Sequence, residues 1–410
     1  MRDSLRAIAI LALTSVITAA GCSPAVEPGL ATVVDSAGIR IVQHDPNLPP
    51  LATWTLIDPP EAIIGGRADS EESHQFTQIR GAVRMSDGRI VVGDWGSREA
   101  RYFDASGNHL STVGGRGEGP GEMRNLYRVD RIDGDTLVVG GWPIGSRYWF
   151  DEKGDFIRNQ ALGPWFPGML GRTLLDGSLV LDTYEHGSHG NTLEYWAANG
   201  PDEDLRPTGV LELVSREGTR VDTLGEIRAQ TWHKSGRLRV NFAMHALPFA
   251  PTGLVASSRR HVFVGHTERP EVQAFDRTGE VVMIVRWSPQ PVSVGGADRR
   301  RFRDDVLAGI RRPEQRPNLE RWLSEISYPS SKPTFAGLFS DAAGHLWIQR
   351  TAASSDLTQL WTIHGPDGIA MATLEMPIEL EVLSVDATHV LAKVTDELGV
   401  EAVRSYRFSR

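Results

Sequence analysis

The residues best suited to chemistry form a short acidic and histidine-bearing run. Asp182, Glu185, His186 and His189 fall within the stretch "DTYEHGSHG". Two histidines this close, with a carboxylate beside them, can complete a divalent-metal shell. The run lacks the helical H-E-x-x-H spacing that marks a catalytic zinc site. A polar loop with incidental histidines is therefore the stronger reading. No cofactor is expected, and a divalent metal on Asp182, His186 and His189 is the weaker expectation. A second candidate is the glycine-rich "GGRGEGPG" at 114–121. A phosphate cradle needs a helix opening directly after its glycines. Here "EMRNLYRVDRI" leads into a strand, so the loop is a connection that exposes Arg116 and Arg124. "DRIDGD" at 130–135 lacks the spacing of a calcium loop, and there is no G-x-S-x-G nucleophile elbow.

These residues are carried by a repeat. An Asp-Gly or similar turn precedes a short β-branched apolar run at "DGRIVVG", "DGDTLVVG", "DGSLVLD", "SRRHVFVG", "AAGHLWIQ" and "DATHVLAKV". Such runs after a glycine turn read as buried strands. A second turn, aromatic-Asp-x-x-Gly, follows 19 or 20 residues later at Gly107, Gly154 and Gly279. Paired turns at fixed spacing, with about 40–50 residues per unit, indicate the four-stranded blades of a propeller. Two intervals are double length. In the first, Gly218 precedes Gly225 as Gly107 precedes Gly114, so it is a displaced second turn of the third unit. The other interval carries helical periodicity. Six blades is the resulting count. The last shows a first turn near Thr388 and no second one, so its outer strand must come from elsewhere. The strand at residues 39–42 is predicted to supply it and close the ring, since closure removes an exposed sheet edge.

The stretch "GRIVVGDWGSREARYFDASGNHLSTVGGRGEGPGEM" resembles NHL-like six-bladed β-propeller bacterial lipoproteins, with weaker echoes in the remaining units. The resemblance implies an all-β propeller. It implies no activity, because functions in that family run from partner binding to lyase and hydrolase chemistry.

The leader points to export. Arg2 and Arg6 precede a mostly apolar stretch and "TAAGC", with small residues before the only cysteine, Cys22. This matches a lipobox. Residues 1–21 read as a lipoprotein signal peptide, Cys22 as the lipidated first residue, 22–30 as a tether and 31–410 as the propeller. Several acyl chains on one residue make a stable anchor. Ser23 after the cysteine fits the outer membrane, facing the periplasm or cell surface. The net charge is −9 and becomes −10 without the first 21 residues, which argues against nucleic acid as a partner.

Residues 297–326 break the β pattern. Phe302, Val306, Leu307 and Ile310, then Leu319, Trp322, Leu323 and Ile326, recur at helical spacing. They predict two amphipathic helices between the fourth and fifth blades. The basic "RRRFR" at 299–303 has Asp298, Asp304 and Asp305 around it and reads as a solvated helix face. A propeller gathers its interblade loops on one face around the central channel, and rigid blades can aim several loops at one point. That face is expected to carry Trp95, Arg116, Arg124, Trp142, His266, Arg269 and Arg350 as ligand-binding candidates. The functional expectation is a lipid-anchored binding or scaffold module for an envelope protein, peptide or glycan. The alternative is a metal-dependent lyase or lactonase-type enzyme with its site at the channel mouth.

Overall fold

The computed structural model describes residues 31–45, 51–66, 71–141, 145–162, 172–184, 203–206, 208–235, 243–310 and 313–410. The leader, Cys22, the tether, Trp142, His186 and His189 lie outside them.

The chain is mostly β and folds as successive antiparallel meanders, a propeller-type arrangement. The first sheet runs Ile79–Arg84, Ile90–Asp94, Glu99–Phe103 and His109–Gly114. The second runs Arg128–Ile132, Thr136–Gly140, Ser146–Phe150 and Phe156–Ala161. The third begins with the short Arg172–Thr173 and continues through Leu179–Tyr184, Thr208–Val214 and Arg220–Arg228. The fourth contains Gly253–Ser257, Val262–His266, Glu271–Phe275 and Val281–Arg286. The fifth contains Phe335–Ser340, Leu346–Arg350, Thr358–His364 and Ala370–Pro377. The last contains Glu381–Val385, His389–Thr395 and Glu401–Ser409.

The turn chemistry explains why each meander folds where it does. Gly88, Gly134, Gly177 and Gly344 adopt positive φ at first turns, and Gly107, Gly154, Gly218 and Gly279 do so at second turns. Asp104 Oδ1 accepts the Ser106 and Asn108 amides, both at 2.9 Å. Asp151 and Asp276 repeat this clasp on Lys153 and Asp155, and on Thr278 and Glu280. The last sheet has a second turn as well, contrary to expectation. Asp396 clasps Leu398 and Val400, with Gly399 at φ 80°. Thr395 precedes that aspartate instead of an aromatic residue, which hid the repeat.

The ring-closing strand also differs from the expectation. Residues 39–42 do not join the last sheet. Ile39–His44 runs parallel to Val281–Arg286 and extends the fourth sheet, with Ala31–Ser36 paired outside it. The physical reason is that Val42 finds a fully buried seat in the cluster containing Met283 and Val285. The last sheet's outer strand is instead Ala62–Gly65, antiparallel to Glu401–Ser409. Between them, Ala52–Leu56 runs parallel to Ala370–Pro377 and touches the end of Glu401–Ser409. The N-terminal segment thus passes from the fourth sheet to the fifth and sixth before entering the first. Trp54 anchors it, stacked on Phe408 at 5.2 Å and edge-on to Trp347 at 5.7 Å.

Two excursions interrupt the meanders. One is a small sheet of Glu203–Leu205, Trp232–Ser235 and Ala243–Ala246. The other contains α1 (Gly296–Ala308) and α2 (Arg316–Glu325). They pack on each other. Trp322 of α2 stacks on the rings of His233 at 4.9 Å and His245 at 5.5 Å. Leu247 joins Phe302, Val306, Leu319 and Leu323 in the same apolar cluster. Two helices with one apolar face each cannot stand alone in water, and the small sheet supplies the missing cover. No helix among the described residues is long and apolar enough to cross a membrane.

Candidate functional site

The first strands of the sheets face inward and enclose an axial cavity. Arg84, Asp130, Arg172, Ser257, Asp341 and Asp386 come from different sheets and line its turn-side lobe. The loop-side lobe, about 280 Å³, shares Arg128, Val129, Asp130 and Arg172 and adds Arg80, Tyr127, Glu381 and Lys393. That volume lies near the lower end of small-ligand pockets. The strands place these groups for a simple reason. Each inner strand turns its edge to the axis, so consecutive residues such as Arg128, Val129 and Asp130 all border the cavity. Gly93 and Gly81 permit the close approach behind them, since a Cβ would meet Val129 Cγ1 at 2.7 Å or Val129 Cγ2 at 3.1 Å.

The charges in the cavity are only partly matched. Arg128 Nε donates to both oxygens of Asp130, at 2.7 and 2.9 Å. Lys393 pairs with Glu381 at 2.8 Å, and Arg84 with Asp386 at 3.5 Å. Asp341 is buried and occupied by the His345 ring, at 2.7 Å, and by the Trp347 indole N–H, at 3.3 Å. Arg80 has no carboxylate partner among the described residues. Its guanidinium lies over the Tyr127 ring at 4.8 Å, and its Nε is buried without a hydrogen-bond acceptor. Arg172 donates from Nε to the Val255 carbonyl oxygen at 3.1 Å, tying the third sheet to the fourth. Desolvation, with the nearby Arg128 charge, pulls Arg172 down to about 9, and Asp130 only partly offsets this. It remains cationic at neutral pH.

The residues singled out from the sequence lie elsewhere. Trp95 is exposed on the loop after Ile90–Asp94. The buried Asp94 carboxylate shapes that loop by accepting the Gln78 amide at 2.8 Å and the Thr77 and Ser97 amides at 3.1 Å. Arg116 and Arg124 are exposed on the linker from the first sheet to the second, and Arg124 pairs with Glu118 at 2.9 Å. His266 and Arg269 do come together, lining a small cleft between the third and fourth sheets. Burial, with Arg228 and other nearby cations, keeps the His266 ring below its usual value despite Glu268. Arg350 is held by Thr362 Oγ1 at 3.1 Å. None of these residues lines the axial cavity. Asp182 is fully buried, and its proposed companions His186 and His189 lie outside the described residues. No group of three or more metal-type side chains gathers among the described residues.

Sequence reasoning passed over Arg80, Arg128 and Arg172. The signal was present: each stands near the head of an inner strand, in "QIRGAV", "LYRVDRI" and "GRTLL". Three sequence neighbours of apolar runs read as solvated strand ends when taken singly. Only closure of the ring brings them to one axis.

No protein-family model matches the chain, and no curated protein does. Among solved structures, the chain is similar to a Bacteroides fragilis protein described as exported. That match has 11% identity and a TM-score of 0.50, covering 90% of this chain and 100% of the other. It is also similar to a member of the DUF4221 family from Bacteroides vulgatus, at 8% identity and a TM-score of 0.43, covering 88% and 99%. A streptogramin B lyase matches at 9% identity and a TM-score of 0.37, covering 82% and 96%. At such identities the first likeness speaks to the fold alone, and the lower scores add no argument.

Proposed function

We propose that this protein is a six-bladed, NHL-like propeller lipoprotein, anchored through Cys22, that binds an envelope protein, peptide or glycan at the loop-side mouth of its axial cavity. The observation that carries the reading is the cavity itself, where inner strands of different sheets aim charged side chains at one space. Preorganised groups on rigid strands lose little conformational freedom on binding. Six inner strands that begin meanders, with Ala62–Gly65 beside the last sheet, support the count of six. The two-helix excursion at 297–326 then lies between the fourth and fifth blades. The leader supports export, and the exported description of the Bacteroides fragilis protein agrees with it.

Native mass spectrometry of the protein extracted from membranes tests this reading. The expected species begins at Cys22, carries acyl chains and holds a noncovalent ligand. Cys22→Ala is expected to shift the protein from the membrane fraction to the soluble fraction, because the anchor supplies the membrane affinity. A wild-type chain without acylation overturns the anchor. A chain carrying one equivalent of a divalent metal and no other ligand moves the reading to a metal-dependent enzyme.

A further inference from the structure

We infer that the loop-side lobe of the axial cavity recognises an anionic group, a carboxylate or a phosphate, with Arg80 and Arg172 as its main determinants. The inference rests on the binding reading above and gives that ligand a chemical class. Four guanidiniums line the lobe: Arg80, Arg128 and Arg172 stand on three inner strands, and the buried Arg147 behind them is held by Gln160 Oε1 and the Gly177 and Arg216 carbonyl oxygens. Two carboxylates line the same lobe. Asp130 is spent on Arg128 and Glu381 on Lys393. Arg80 and Arg172 are left without a carboxylate among the described residues; both are half-buried, and Arg80 Nε is buried without an acceptor. A desolvated cation without a counter-charge is unfavourable for folding, so this arrangement is costly unless an anion completes it. The guanidinium fork suits carboxylate and phosphate alike. Arg172 is oriented by its Nε bond to the Val255 carbonyl oxygen, and its outer nitrogens have no hydrogen bond among the described residues.

Thermal unfolding of the full-length protein in detergent, at constant ionic strength, tests the inference. Wild type is titrated with citrate and, separately, with inorganic phosphate. A saturable rise in Tm of several degrees is expected with at least one of them. A response to citrate alone marks a carboxylate ligand, and a response to phosphate alone a phosphorylated one. Arg172→Gln and, independently, Arg80→Gln are expected to weaken the midpoint at least tenfold. Arg116→Gln on the exposed linker is expected to leave it unchanged. If either cavity variant fails to fold, the other still decides the matter. The inference is overturned if neither anion gives a saturable shift, or if the cavity variants respond as wild type does. Should neutral glycans or peptides stabilise the protein while both anions do not, the inference falls and the binding reading stands.

Discussion

Ile64→Ala is expected to destabilise the fold by about 2–5 kcal/mol, while Ile63→Ala next to it changes stability by no more than about 0.5 kcal/mol. The two residues sit on one short strand and point to opposite faces. Ile64 is 0% exposed and packs among Ile79, Val92, Phe103, Leu391 and Val403, whereas Ile63 is 53% exposed. That cluster joins the last sheet to the first, so Ile64 lies at the seam of the ring. Truncating it leaves a cavity at a seam held by only four residues from Ala62–Gly65. Chemical denaturation of the two variants provides the comparison. Equal, small losses at both positions would contradict closure through this strand.

The second large effect is acid sensitivity. His364 is buried, and desolvation together with the His44 ring, 5.0 Å away centroid to centroid, pushes its pKa down to about 3. Arg350 adds to the depression. In the unfolded chain the same imidazole titrates near about 6.5. Between those values the unfolded state binds a proton that the folded state refuses. Stability is therefore complete above the unfolded pKa and declines as pH falls from about 6.5 toward 3. A single such site contributes a slope of about 1.4 kcal/mol per pH unit in that window. His364→Gln is expected to remove this share of the slope, whatever its effect at neutral pH. His245, His261 and His266 are also held low by burial and remain in both proteins, so the difference between the two slopes isolates His364. Identical slopes from pH 7 to 4.5 would contradict the assignment. His44 lies on the strand that carries the chain's N-terminal hairpin onto the fourth sheet. The effect thus concentrates where the hairpin of Ala31–Ser36 and Ile39–His44 docks.

Turns were the most legible part of the fold. Glycine at positive φ and aspartate clasping the next amides are local requirements, and local requirements leave marks in sequence. Gly218 was readable on those grounds despite the long excursion before it. The Asp396 clasp escapes the aromatic-Asp-x-x-Gly pattern because Thr395, not an aromatic residue, precedes it. Strand exchange at the N-terminus was far less legible. Residues 39–44 and 62–65 both offer apolar side chains to a sheet, and nothing local says which sheet has a vacant edge. The cavity arginines posed a similar problem. Trp95, Arg116 and Arg124 stood out because they lie on distinctive loops, whereas Arg80 and Arg172 acquire meaning only from neighbours distant in the chain.

The central claim is that the binding site is the axial cavity and not the exposed loops. Anomalous diffraction from crystals soaked in selenate, an oxyanion of phosphate-like shape, tests it most directly. The account predicts a selenium peak inside the loop-side lobe, within hydrogen-bond distance of Arg172 or Arg80. Peaks confined to exposed arginines such as Arg116 and Arg124, with the lobe empty, would contradict it.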